Sequence, residues 1–426
     1  MLISVVNILL LFAIAFMVWR KQSDVLKPWY WPALILRICG GLFLGVLYNG
    51  YYTGGDTWVY FNDAMAVASL VGEGWSDYLN FLWTGHHSSL PQLGEVPPRA
   101  LFFTKLTSVA VLLSGGNYWL ASCWFSLASF LSAWFLVREI SSIKLSWRGP
   151  ALFSLLFVPS LVCWSSGLIK ESLAMSALCY IVIVFLRLWS ARRISIWYLI
   201  TLLPALWLLW GLKYYYLAIL LPVMVTEIIM QCLIRPRFAG LSRYADVLLW
   251  VVLFMIPVAI VSVLHPNFYP QRLLDVIVSN YEVFHAISEP HDVVHYPGMA
   301  AEPMSIIIHA PKALVAALFR PFIWEASNVI QFLAAGENLV VLVLTFGFVI
   351  AVVKGRNPPG SSLALPVIMY FTLLGIFLAL STPNFGTLSR YRVGFEPFFI
   401  LLITSQNSLL RWLTARLDRS NKALVG

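Results

Sequence analysis

Apolar runs of about 20 residues recur along this chain, separated by short polar or basic segments. Runs of that length with few charges suit helices that cross a bilayer, and the short alternating strands of a membrane barrel are not seen. The pattern predicts spans at 1–19, 29–51, 117–137, 149–164, 170–190, 195–212, 214–234, 245–264, 338–353, 362–381 and 394–410. Two further apolar stretches, 101–114 and 306–324, are interrupted by charge, proline or glycine and read as interfacial or re-entrant helices. The expected fold is all-α: a polytopic transmembrane helical bundle of about 11 spans. It forms a single integral membrane domain over 1–426, with long extracytoplasmic loops at 52–116 and 265–337.

Composition agrees. With 60% hydrophobic and 11% charged residues, a soluble chain could not hide its apolar surface. Met1 to Trp19 runs straight into Arg20-Lys21, the reverse of a secretory signal, and reads as a retained first span. The five cysteines lie in or beside apolar runs without metal-type spacing, which suits small packing residues.

Sidedness follows from the basic residues, which collect in cytoplasmic loops. If Arg20, Lys21 and Lys27 are inside, the N-terminus is outside and the later loops alternate. Then 18 of the 28 Lys and Arg fall in short inner loops or the C-terminal tail, accompanied only by Asp24, Glu139, Asp246 and Asp418. The net charge of +9 is thereby accounted for by orientation and anionic lipid, without nucleic acid. All seven histidines and most acids fall on the outer side, so the chemistry is expected there.

Asp56 leads the candidates. It follows Gly54-Gly55 at the opening of the first outer loop, flanked by Tyr51, Tyr52, Trp58 and Tyr60. It can cap a helix starting at Thr57, and a plain cap is the competing reading of equal weight. Asp63, seven residues on, would share its helical face. Lys170-Glu171, preceded by Ser165-Ser166-Gly167, stands at an outer helix start and offers an anion seat with a point charge, the competing reading being interfacial anchoring with Lys170 reaching toward headgroups. Arg390 and Arg392 break the positive-inside trend; in an extended segment they point the same way and suit bidentate phosphate binding. The alternative is anchoring to lipid headgroups. Arg320 needs a partner, either Glu325 or a lipid phosphate. Lys213 in a tight hairpin before Tyr214, Tyr215 and Tyr216 is weaker, since such clusters are common at membrane interfaces.

His86 and His87 are read as substrate contacts or solvated loop residues rather than zinc ligands. No nucleotide-binding loop is present, and a divalent ion is left open.

In this layout the chain resembles the membrane-embedded glycosyltransferases of the GT-C class. Those enzymes have many spans and an acidic catalytic residue near the start of a first long outer loop, as Gly55-Asp56 followed by Tyr60 and Asp63 stands here. The resemblance covers the whole chain in layout and only that stretch in residues. It implies a polyprenyl-phosphate-linked sugar donor in the cell envelope and a glycan, lipid or protein acceptor outside the cytoplasm. Asp56 and Asp63 would serve catalysis. Lys170, Arg320, Arg390 and Arg392 would hold the phosphate. Tyr60, His86, His87, Glu171 and Lys213 would contact substrate. The expected location is a bacterial plasma membrane. A polysaccharide polymerase or ligase relying chiefly on outer arginines and histidines is the alternative, and a transporter or flippase comes third because only Arg37 and Glu227 lie well inside spans and no clear repeat is seen.

Overall fold

A computed structural model describes residues 2–51, 56–238, 242–264, 266–355 and 361–407. Among these residues the chain is helical, with no β-strand. In chain order the α-helices are α1 (Leu2–Arg20), α2 (Lys27–Gly50), α3 (Asp56–Ser69), α4 (Trp75–Thr84), α5 (Pro98–Ser114) and α6 (Tyr118–Ile143). Then come α7 (Arg148–Leu152), α8 (Pro159–Trp164), α9 (Lys170–Trp189), α10 (Ile196–Ile229), α11 (Arg243–Leu264) and α12 (Pro270–Ile287). The last are α13 (Pro303–Phe319), α14 (Val329–Val353), α15 (Ser361–Ser381), α16 (Phe385–Tyr391) and α17 (Glu396–Thr404).

Eight helices among the described residues are long and apolar enough to cross a membrane, against the 11 spans expected from sequence. One difference is only apparent. The longest helical segment, Ile196–Ile234, is broken by non-helical backbone at Lys213. Tyr198 near its start meets Arg187, and Glu227 near its end takes the Trp189 indole N–H. Both therefore lie at the C-terminal end of α9, although a straight helix would separate them by about 43 Å. Lys213 meets Glu171 at the other end of α9. The segment is a hairpin of two antiparallel arms, as its sequence suggested.

The expected span at 149–164 is not one helix. A π-turn at Phe153–Phe157 and a break at Val158-Pro159 divide α7 from α8. Proline has no N–H to continue the ladder, so carbonyls before it lose their partners. Arg37, buried within α2, supplies donors: its guanidinium reaches the Leu155 carbonyl at 2.8 Å and the Ser129 hydroxyl at 3.2 Å. It also bonds the Ser165 hydroxyl. The terminal nitrogens of this buried charge are thus taken up by groups of the broken helix, the loop after it and α6.

At the opposite end from Lys213, Glu139 receives Arg187 at 2.8 Å and Arg192 at 3.1 Å, and Arg235 joins Glu227 at 2.7 Å and Asp246 at 3.0 Å. The basic loops and the Lys213 turn therefore occupy opposite ends of the bundle. One large apolar core runs through the spans, and a smaller one, built on Val67, Leu70, Tyr78, Phe81, Leu90 and Leu93, lies under α4.

The stretches expected to be interfacial are the helices α5 and α13. The α5 helix runs across the Lys213 end of the bundle. Its Phe102 packs on Trp207 of α10, and its Leu113 carbonyl takes the Asn7 amide of α1 at 2.9 Å.

Candidate functional site

Five elements converge at the Lys213 end: the C-terminal part of α2, the start of α3, the start of α9, the α10 turn and α16. The loop before α9 fixes their spacing. Gly167 has φ +70°, a conformation that glycine adopts without strain, and its N–H donates to the Ser126 hydroxyl at 2.9 Å. Gly41 of α2 lies directly against it; a Cβ there would stand 2.7 Å from the Gly167 nitrogen and collide with Ser126. The Thr57 hydroxyl, fully buried, bonds the Leu168 carbonyl at 2.7 Å and the Tyr118 hydroxyl at 2.8 Å. Trp58 stacks on Tyr118 at 3.8 Å and donates its indole N–H to the Gly45 carbonyl at 3.0 Å. The first turn of α3 is therefore clasped to α2, α6 and the loop that carries Lys170. Asp56 begins that turn. Gly54-Gly55 lies outside the described residues.

The charged groups form one network. Glu171, 2% exposed in its side chain, lies 2.8 Å from the Lys213 ammonium and 3.3 Å from Arg390 Nε. Arg390 reaches on with a 2.8 Å ion pair to Asp56, and its Nη1 donates to the Tyr48 hydroxyl at 3.3 Å. Asp56 is the open end of this chain, with 47% of its side chain exposed. The Lys213 ammonium sits 3.5 Å from the centre of the Tyr391 ring, and the Tyr216 hydroxyl donates to the Tyr391 carbonyl at 2.7 Å. Lys170 stands over the Tyr60 ring at 4.5 Å, with no carboxylate within 4 Å among the described residues. Three cations thus face two carboxylates, leaving one surplus positive charge on Lys170.

Burial works against ionising Arg390, yet Glu171, Tyr391, Tyr48 and Asp56 outweigh it and hold the guanidinium firmly charged. Burial pushes the Tyr60 phenol well up, with Asp56 adding to the shift. Burial also raises the Asp63 carboxyl.

Six of the residues picked from sequence meet here: Asp56, Tyr60, Lys170, Glu171, Lys213 and Arg390. Others do not. Arg392 does not point the same way as Arg390, because the segment is helical and turns through a 3₁₀ stretch at Arg392–Gly394 instead of being extended. Its buried guanidinium donates to Asn338 Oδ1 at 2.9 Å and the Ala316 carbonyl at 3.0 Å, so those donors are committed within the protein. Arg320 takes the local partner: both oxygens of Glu325 bind it, with one contact at 3.0 Å. It also lies against the Phe385 ring at 5.1 Å. Asp63 is on α3, about 10 Å along the axis from Asp56, and no contact joins it to the network. His86 and His87 line a separate open cleft with Asn80, Ser88, Leu90, Pro91 and Gly94, and His87 lies 4.0 Å from Glu73. Lys213 is buried rather than interfacial, with 4% of its side chain exposed.

Sequence reading missed Tyr48, Thr57, Tyr391 and Tyr216. Tyr391 and Thr57 adjoin residues already chosen, and Tyr48 precedes the loop by a few residues. Their adjacency was the available signal. Comparison with protein-family models, with curated proteins and with solved structures gives no match to the chain.

Proposed function

We propose that the protein is a membrane glycosyltransferase of the GT-C kind, moving a sugar from a polyprenyl-phosphate-linked donor to a glycan, lipid or protein acceptor on the extracytoplasmic side. One observation carries the reading. A half-exposed carboxylate, Asp56, linked through Arg390 to the buried Glu171–Lys213 pair, shares one end of an apolar bundle with Lys170, a cation over the Tyr60 ring with no carboxylate within 4 Å among the described residues. The basic loops lie at the other end, so we take this network to be outside, with the N-terminus outside and the C-terminus in the cytoplasm. Soluble sugar nucleotides are made inside, so a lipid-carried donor suits a site on that face.

In the proposed step an acceptor hydroxyl attacks the anomeric carbon, and its proton passes to Asp56. The new carbon–oxygen bond forms as the bond from that carbon to the phosphate oxygen breaks, and the electron pair leaves with the lipid phosphate. Lys170 would stabilise that charge. Arg390, held between two carboxylates, would orient Asp56 rather than grip the phosphate by itself. The buried Glu171–Lys213 pair would hold Arg390 in turn.

The position of Arg390 between Asp56 and Glu171 also favours the alternative, a polysaccharide polymerase or ligase that depends chiefly on this arginine. The experiment is to reconstitute the purified protein in nanodiscs with a radiolabelled polyprenyl-phosphate sugar and acceptors extracted from the envelope. Labelled acceptor should form with release of polyprenyl phosphate, and Asp56→Asn should abolish it. Loss in Arg390→Lys with full transfer in Asp56→Asn would favour the alternative. No transfer by intact protein with any acceptor class would remove the proposal.

A further inference from the structure

Helix α4 has more apolar surface than the protein covers. At 100° per residue, Tyr78, Phe81 and Leu82 lie on one side, Trp75, Leu79 and Trp83 continue the same arc, and Ser76, Asp77, Asn80 and Thr84 fill the remainder. Tyr78 and Phe81 are buried in the small core beneath the helix. Trp75, Leu79 and Trp83, spaced four residues apart, remain 62%, 58% and 89% exposed.

The surroundings identify what covers them. Helix α5, which α4 packs on through Tyr78 and Ser108 at 3.1 Å, touches membrane-length helices at both its ends. Phe102 meets Trp207 of α10 at 4.8 Å, within two turns of Lys213, and the Leu113 carbonyl meets Asn7 near the start of α1. The α5 helix therefore lies at the depth of the outermost turns of the spans. Its own Val109 and Leu113 are exposed, as are Ile3 and Val6 of α1 beside them. The stripe is carried by a helix packed against α5 at that depth, with tryptophan at each end. Tryptophan favours the headgroup boundary, where its ring is apolar and its N–H stays hydrated.

We propose that Trp75, Leu79 and Trp83 seat α4 in the bilayer surface at the Asp56 end, making it an in-plane anchor of the first loop. The occupant of this face is lipid, not a protein partner. The anchor bears on α5, whose Phe103 packs on Tyr60 at 5.1 Å and whose Arg99 lies over Tyr214 at 5.3 Å. The first loop is thereby fixed between membrane and site. This inference stands whether or not the protein transfers sugars.

The test uses the full chain in phosphatidylcholine nanodiscs, with its own five cysteines replaced and one cysteine introduced, either Leu79→Cys or Asn80→Cys. These neighbours differ by 100° around the helix, so one probe sits between the two tryptophans and the other on the polar side. With an environment-sensitive dye attached, lipids spin-labelled near the headgroup should dim the Leu79 probe at least roughly twofold more than the Asn80 probe. Aqueous iodide should reverse that order. Equal dimming of both probes by iodide and none by the labelled lipid would overturn the proposal. So would a Leu79 probe shielded from both quenchers, which would mean that protein covers the stripe. Size-exclusion profiles matching the unsubstituted chain show that the fold is intact, and Trp83→Ser, which removes a side chain 89% exposed, should lower the lipid quenching of the Leu79 probe without altering that profile.

Discussion

Lys170 and Lys213 are the same residue type at the same end of the bundle, yet they have different work. Lys213 is buried against Glu171, so removing its charge leaves that buried carboxylate with only Arg390, 3.3 Å away and shared with Asp56. Lys213→Met should destabilise the protein by about 3–5 kcal/mol, read as a large fall in the thermal unfolding midpoint in detergent. Lys170 has no such pair, so Lys170→Gln should leave that midpoint nearly unchanged and raise the KM for the lipid-linked donor. Equal stability losses in the two variants would contradict this division. Thr57→Val should keep the α3 helix but free its first turn from the Leu168 carbonyl, lowering turnover while Thr57→Ser restores it. At this scale much of the site was legible: an acid at a loop opening, a Lys-Glu pair at a helix start, and an arginine against the charge trend. The arginine pair was misread because the pointing of Arg392 depends on whether the segment is extended or helical. Arg320 and Glu325 lie five residues apart, and that ion pair was foreseeable as one of two partners.

Helices were legible along most apolar runs, and the errors fall where proline or polar residues sit inside a run. Helix α14 begins at Val329, capped by the Asn328 side chain accepting from the Gln331 N–H at 3.0 Å. The sequence pattern started it at 338, because Glu337 and Asn338 interrupt the apolar reading. In the fold Glu337 accepts the Ser160 N–H at 2.9 Å just past the break at Pro159, and Asn338 takes Arg392. Two irregularities thus satisfy each other across the bundle, which one-dimensional periodicity cannot show. The close approach of α2 to the 165–169 loop is similarly invisible until Gly41 and Gly167 are seen together. Gly41→Ala should force these apart and cost about 1–3 kcal/mol. Gly40→Ala, where a Cβ would meet its nearest neighbours at an ordinary 3.5 Å, should cost far less. Unfolding midpoints of the two variants make the comparison, and a larger loss at Gly40 would count against the packing described.

For the whole molecule, the charge pattern gave the two ends and the structure keeps them apart: Glu139, Arg187, Arg192 and Arg235 at one, Asp56, Glu171, Lys213 and Arg390 at the other. Cysteines introduced at the exposed positions His86, Ser88 or Ser89, or at His285, Glu289 or His291, should react with impermeant reagents from outside cells, and cysteines at 236–238 only after permeabilisation. Labelling of 236–238 from outside would reverse the proposed orientation. What sequence could not supply was convergence, since Asp56 and Arg390 meet at 2.8 Å across 334 residues of chain. In the proposed step Asp56 takes the acceptor proton while Lys170 steadies the donor phosphate. Asp56→Asn keeps the size and capping capacity of the side chain, so it separates the two roles. The measurement is donor affinity and turnover of Asp56→Asn against the unsubstituted protein, in nanodiscs at matched protein. Affinity within a few-fold and turnover lower by about 10²–10⁴-fold is the expected result. Unchanged turnover would reduce Asp56 to a helix cap and contradict the account.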